Sequence, residues 1–173
     1  MTQVTNVLLV GVGGQGVLTA ARILAEAAFA SGFGVTQSEV HGMSQRGGSV
    51  ECQVRFGQQV TSPLIPAGET DVLLALDREE VDRSLPTVRV EGTVVSPAAQ
   101  LLDALPHPRT LNVALIGALS TVLPFSGRAW RSALVRVLPP RFYALNRQAF
   151  DTGRGLARLC IRQGTKGLPK DET

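Results

Sequence analysis

Cysteine is scarce: Cys52 and Cys160 are the only two in 173 residues, and they stand far apart. That spacing excludes a CxxC pair. It also excludes a set of thiolates able to hold an iron–sulfur cluster within this chain, because such a cluster needs several grouped cysteines. Both are expected to be reduced, buried thiols of a cytosolic protein. Aromatics are few at 5% and charged residues make up 18%, but 44% of the chain is hydrophobic, which excludes a disordered or fibrous polypeptide. The charge is +3, and the arginines of the second half are scattered rather than run together, so a nucleic-acid track is not expected. The opening Met1–Asn6 lacks the basic and apolar regions of a secretion signal. The uncharged stretch Leu111–Phe125 is too short for a bilayer, which takes about 20 residues. A cytoplasmic chain with neither membrane nor nucleic acid as partner is expected.

What the chain does have is strand and helix periodicity. Val7–Val10 is a continuous apolar run ending in glycines, the pattern of a buried strand. From Val17 the spacing becomes helical: Val17, Ala20, Ala21, Leu24, Ala27 and Ala28 share a face, and Gly32 stops it. Val35–Val40 reads as a second strand and Gly42–Gly48 as an irregular loop. Val50, Cys52, Val54 and Phe56 then alternate with polar residues, as in a half-buried strand. Val60–Ile65 is the expected hairpin partner of that strand. Further on, strands are expected at Asp71–Leu76 and Val88–Val95, with helices at Arg78–Leu85, Asn112–Leu123, Ala129–Leu138 and Phe142–Leu159. Alternating strand and helix imply an α/β fold: a Rossmann-like three-layer sandwich, mainly parallel, with an antiparallel hairpin addition. With no linker or repeat in sight, residues 1–165 are expected to form one domain and 166–173 a polar tail.

Gly11-Val12-Gly13-Gly14-Gln15-Gly16 lies between the first strand and the first helix. Glycines there let a ligand approach the main chain, and the helix beyond offers free N–H groups and the positive end of its dipole to an anion. A nucleotide-triphosphate loop is excluded, because Val17 and Leu18 stand where lysine and a hydroxyl residue are needed. A dinucleotide site would need an acidic residue some 20 positions on, where Glu39 is the candidate. The plain alternative is that the glycines only permit tight packing of strand on helix.

The second motif is Ser38-Glu39-Val40-His41-Gly42-Met43-Ser44-Gln45-Arg46-Gly47-Gly48-Ser49-Val50. Together with the glycine loop, it resembles the gamma-type subunit or domain of the 2-oxoacid:ferredoxin oxidoreductases. Its wording is most like the small subunit of the indolepyruvate-oxidising enzymes. Weaker resemblance runs on through Asp71–Leu76, Asn112–Ala118 and Asn146–Gly153, so it covers nearly the whole chain. The resemblance implies oxidative decarboxylation of an arylpyruvate with coenzyme A and ferredoxin, carried out by thiamine diphosphate, magnesium and [4Fe-4S] clusters. This chain has neither the cysteines for clusters nor a Gly-Asp-Gly motif for magnesium and diphosphate. The resemblance therefore implies a large partner subunit that carries those groups and passes electrons to ferredoxin, with this chain inactive alone.

Gly11, Gly13, Gly14, Gln15, Gly16, Glu39, His41, Gly42, Met43, Gln45, Arg46, Gly47 and Gly48 are thus the candidate ligand-binding or interface residues. Arg46 could reach a phosphate or carboxylate of coenzyme A or an acidic group of the partner, or simply neutralise Glu39 or Glu51. His41 is either a hydrogen-bonding group at the contact or a structural histidine. Met43 either packs on a partner or fills the core. Gly47 and Gly48 allow the loop to turn into the next strand. His107, between two prolines, reads as a surface residue, and Arg128, Arg131, Arg136 and Arg141 as a solvated or partner-facing rim. A free-standing dinucleotide-binding oxidoreductase and a scaffold without ligand are the rival readings.

Overall fold

The computed structural model describes residues 4–41 and 48–164. The tail Lys166–Thr173 lies outside them. Six strands are present among the described residues: β1 (Thr5–Val12), β2 (Gly34–His41), β3 (Ser49–Gly57), β4 (Thr70–Ala75), β5 (Val88–Val95) and β6 (Ile161–Gln163). Seven α-helices accompany them among the described residues: α1 (Val17–Ala30), α2 (Arg78–Ser84), α3 (Ala99–Ala104), α4 (Leu111–Leu119), α5 (Gly127–Val137), α6 (Pro140–Gly155) and α7 (Ala157–Cys160). The sheet order is β2-β3-β1-β4-β5-β6. Strands β1, β2, β4 and β5 run one way, and β3 and β6 run against them. The expected α/β sandwich, a mostly parallel sheet flanked by helices with an antiparallel hairpin, is what forms.

Alternation along β1 sorts its side chains between two cores. Val7 and Leu9 join the large core under α1, α4, α5 and α6, whereas Leu8 and Val10 join a smaller one under α2 with Leu73, Ala75, Val81, Val88 and Val94. The predicted stripe of α1 is buried in full, from Val17 through Ala28. Burial of a Val or Leu side chain stabilises the fold by roughly 1.5–3 kcal/mol, so this face alone fixes α1 on the sheet. Helix α4 is buried on every side from Asn112 to Leu119, and it lies between the sheet and α6. The crossing of α4 with α6 requires glycine: a Cβ on Gly153 would stand 1.8 Å from the backbone oxygen of Ala114.

Three expectations differ. The hairpin partner of β3 is β2, in continuous register from Gly34↔Gly57 to His41↔Val50, and not Val60–Ile65. Arg55 donates to the carbonyls of Ser62 and Leu64, and Gln53 accepts from Ile65 N, so side chains of β3 tie that stretch down without a ladder. Pro63 and Pro66 break up the run in which a ladder would have to form. Helix α4 stops at Leu119, because the hydroxyls of Ser120 and Thr121 donate to the carbonyls of Gly117 and Ala118 and release the chain. The expected helix Phe142–Leu159 starts at Pro140, a residue suited to a first turn, and breaks at Leu156 before α7 and the short edge strand β6.

Candidate functional site

The glycine loop leaves the end of β1, the strand at which the sheet's connections change side: the chain passes first to β2 and β3, then to β4 and β5. In open α/β sheets ligands gather at such a switch point, beyond the carboxyl ends of the strands. The loop closes on itself through Gln15, whose N–H donates to Val12 O at 3.1 Å and whose Oε1 accepts from Val12 N at 2.8 Å. Its Nε2 also lies 3.4 Å from Oδ2 of Asp77, the residue that caps α2 by accepting from Glu79 N. Gln15 therefore braces the turn with both ends of its amide. Gly11 is a packing glycine, since a Cβ there would meet the Gln15 Oε1, Val17 and Leu76 side-chain atoms within about 3 Å.

Gly14 and Gly16 take positive φ, +97° and +84°. Gly16 sits at the N-terminus of α1, which has no side-chain cap and no acidic residue in its first turn. Asn112, at the start of α4, donates from Nδ2 to Gly16 O at 3.2 Å. The asparagine is 7% exposed, and its Oδ1 is buried with no hydrogen-bond partner. An uncapped helix N-terminus thus stands beside an unused acceptor.

The second motif arrives from the other side. The first residues of β3 pair with the last of β1, Ser49 with Val12 and Val50 with Gly11, and Gly13 N donates to Gly48 O at 3.0 Å. The glycine loop is therefore joined by its backbone to Gly48 and the start of β3. The base of the second motif is held by Glu80, which is 4% exposed: it accepts from Ser49 Oγ at 2.8 Å and pairs with Arg83 at 2.6 Å. Gly42, Met43, Gln45, Arg46 and Gly47 lie outside the described residues, as does the side chain of His41, which closes β2. Glu39 is exposed on β2 and accepts from Gln37 Nε2 at 3.2 Å. It faces Cys52 across the strands, and burial, reinforced by Glu39 and Glu51, pushes that thiol up to about 12.

Around the glycine loop and Gly48 the structure also brings Asn112, Asp77, Ser49 and Glu80. A lone asparagine opening an otherwise apolar helix was the available signal for Asn112. His107 is exposed and caps a turn, its Nδ1 accepting from Arg109 N. Of the late arginines, Arg136 lies 3.6 Å from Glu26 and Arg141 stacks over Phe142.

A dinucleotide site does not match this geometry. It needs its acidic residue on the strand beside β1, yet antiparallel β3 occupies that place and moves Glu39 two strand spacings, roughly 10 Å, away. A family model described as pyruvate ferredoxin/flavodoxin oxidoreductase matches residues 6–156. The chain belongs to that family. It is 32% identical to the indolepyruvate oxidoreductase subunit IorB of Pyrococcus horikoshii, over 86% of this chain and 93% of that one. The fold matches the gamma subunit of a keto/oxoacid ferredoxin oxidoreductase from Geobacter sulfurreducens, with TM-score 0.77 and 24% identity over 92% of this chain and 99% of that one. It also matches a 2-oxoglutarate:ferredoxin oxidoreductase from Magnetococcus marinus, solved with 2-oxoglutarate, coenzyme A and succinyl-CoA bound, with TM-score 0.78 and 20% identity over 91% of this chain and 32% of that one. The chain is thus homologous to the IorB subunits and shares the fold of the gamma subunit.

No group of three or more His, Cys, Asp or Glu side chains that could hold a metal occurs among the described residues, and two isolated cysteines do not suit an iron–sulfur cluster. No helix among the described residues is long and apolar enough to cross a membrane.

Proposed function

We propose that this chain is the small subunit of an arylpyruvate:ferredoxin oxidoreductase and supplies a docking face to a large subunit that carries thiamine diphosphate, magnesium and [4Fe-4S] clusters. Those groups supply the decarboxylation and the one-electron steps. The face is the joined pair of turns, Gly11–Gly16 and the connection from His41 to Ser49 that bears Met43, Gln45 and Arg46. The observation that supports the reading is the Gly13–Gly48 hydrogen bond, which ties the glycine loop to the end of the second motif beside β1. Coenzyme A is the ligand we assign to this face. Its phosphates suit the open N-terminus of α1 and the Arg46 guanidinium. Assembly in the cytoplasm and electron delivery to ferredoxin belong to the same reading.

Co-expression with the candidate large subunit tests it. The two should co-purify, and coenzyme A-dependent oxidation of indolepyruvate should need both. If they never associate, or activity is indifferent to omitting this chain, the reading is wrong. A scaffold that touches no ligand has one observation in its favour, since Gln15 and Gly11 are fully explained by packing. Arg46→Ala separates the two: a raised KM for coenzyme A with assembly intact supports the ligand face, and an unchanged KM supports the scaffold.

A further inference from the structure

The outer margin of β2 is built unlike a strand edge meant to stay in water. It is eight residues long, keeps an unbroken register against β3 with no bulge, and contains neither lysine nor proline. Isolated proteins blunt such edges with short strands, charges, proline or bulges, because a long regular edge pairs with whatever strand it meets. The opposite margin of this sheet shows one of those devices: β6 has only three residues. Beside β2 runs a groove of about 330 Å³ lined by Arg22, Ala25, Glu26, Phe29, Val35 and Gln37, with Phe29 66% exposed.

We propose that this edge is the seam of a symmetric dimer, occupied by β2 of a second copy of the chain. Self-complementarity selects that occupant. A two-fold axis through Gln37, normal to the sheet, pairs Gln37 with itself, Thr36 with Ser38 of the second copy and Val35 with its Glu39, so no like charges oppose each other. That axis lies about 10 Å along β2 from Gly34. Helix α1 runs back alongside from its end just before Gly34, and the same height is reached about seven residues up the helix, near Leu24. Arg22 and Glu26 flank Leu24 by two residues each. The axis therefore exchanges them: Arg22 of one copy faces Glu26 of the other, twice.

Arg22 is exposed and has no ion pair among the described residues. The Glu26 side chain is partly exposed; its Oε2 is buried 3.6 Å from Arg136 and accepts no hydrogen bond, so an arginine of the second copy would have to meet the exposed part of the carboxylate. Helix α1 is centred over β3, so the two copies of α1 would lie about three strand spacings apart, roughly 14 Å. An arginine and a glutamate reaching from opposite sides span that gap, and Phe29 and Val35 fill its floor. The proposal is independent of the docking face described above, which lies at the ends of the strands and not along this edge.

Light scattering and amide exchange on the full chain, alone and with the large subunit bound, test the seam. The chain should be a dimer at micromolar concentration, and amides of residues 34–41 should lose protection on dilution. Arg22→Glu should raise the dimer dissociation constant at least about tenfold without changing the circular dichroism. The double exchange Arg22→Glu with Glu26→Arg should restore pairing. A monomer with rapidly exchanging β2 amides, a dimer indifferent to Arg22→Glu, or protection of β2 only by the large subunit would each overturn the proposal.

Discussion

Replacing Gly16 by alanine probes the joint between the glycine turn, α1 and α4. At φ +84° an L-residue is strained by roughly 1–2 kcal/mol. The new Cβ would also stand 2.5 Å from Asn112 Nδ2 and 3.1 Å from its Cγ, forcing the amide away and breaking its bond to Gly16 O. Loss of a half-buried hydrogen bond adds about 1 kcal/mol, so Gly16→Ala should destabilise the chain by ~2–3 kcal/mol. Gly14→Ala is the internal control. Its φ is +97°, but a Cβ there has nothing within 4 Å, so only the ~1–2 kcal/mol of backbone strain applies. Urea unfolding of the isolated chain measures both, with the slope expected to stay constant so that the midpoint shift reports stability. In the Gly16→Ala, Asn112→Ala double variant the costs should fall short of additive, because the second change removes the clash created by the first. If Gly16→Ala costs no more than Gly14→Ala, the Asn112 contact contributes nothing and the argument for a rigid joint fails.

Gly153→Ala should cost ~3 kcal/mol or more, since the clash is with the backbone of α4 and neither buried helix can retreat; a thermal melt would show it. Glu80→Ala should cost about 2–3 kcal/mol by stripping Ser49 and Arg83 of a buried carboxylate, and a urea midpoint unchanged from the parent would refute the anchor. Cys52 should resist thiol reagents at neutral pH until denaturant is added, because burial holds it protonated. Its folded value of about 12 exceeds the unfolded 9.0, so its contribution to stability is intact below pH 9 and declines as pH climbs from 9 towards 12. Melting temperatures across that interval check the sign.

Much of this was legible in the chain because the signals are local. The run Val7–Val10, the stripe from Val17 to Ala28 and the alternation from Val50 to Phe56 each state their own period, and all are buried as read except Val50, which is partly buried. The choice of hairpin partner was not local. Val60–Ile65 looks as apolar as a strand, but β2 offers eight paired residues, and the shorter stretch is left to Arg55 and Gln53. Strand β6 exists only because β5 is there to receive it, and its three residues carry no period of their own. At the site, the glycines were visible as a pattern. Asn112 became part of it only through a contact spanning 96 positions, which no window along the sequence contains.

The placement of β3 between β1 and β2 has a consequence for how such a subunit can diversify. Residues 42–48 bridge two neighbouring strands whose ladder is complete below them. The registers of β2 and β3 are therefore set by pairs that do not include this connection. A transplant of it between relatives should leave those registers unchanged.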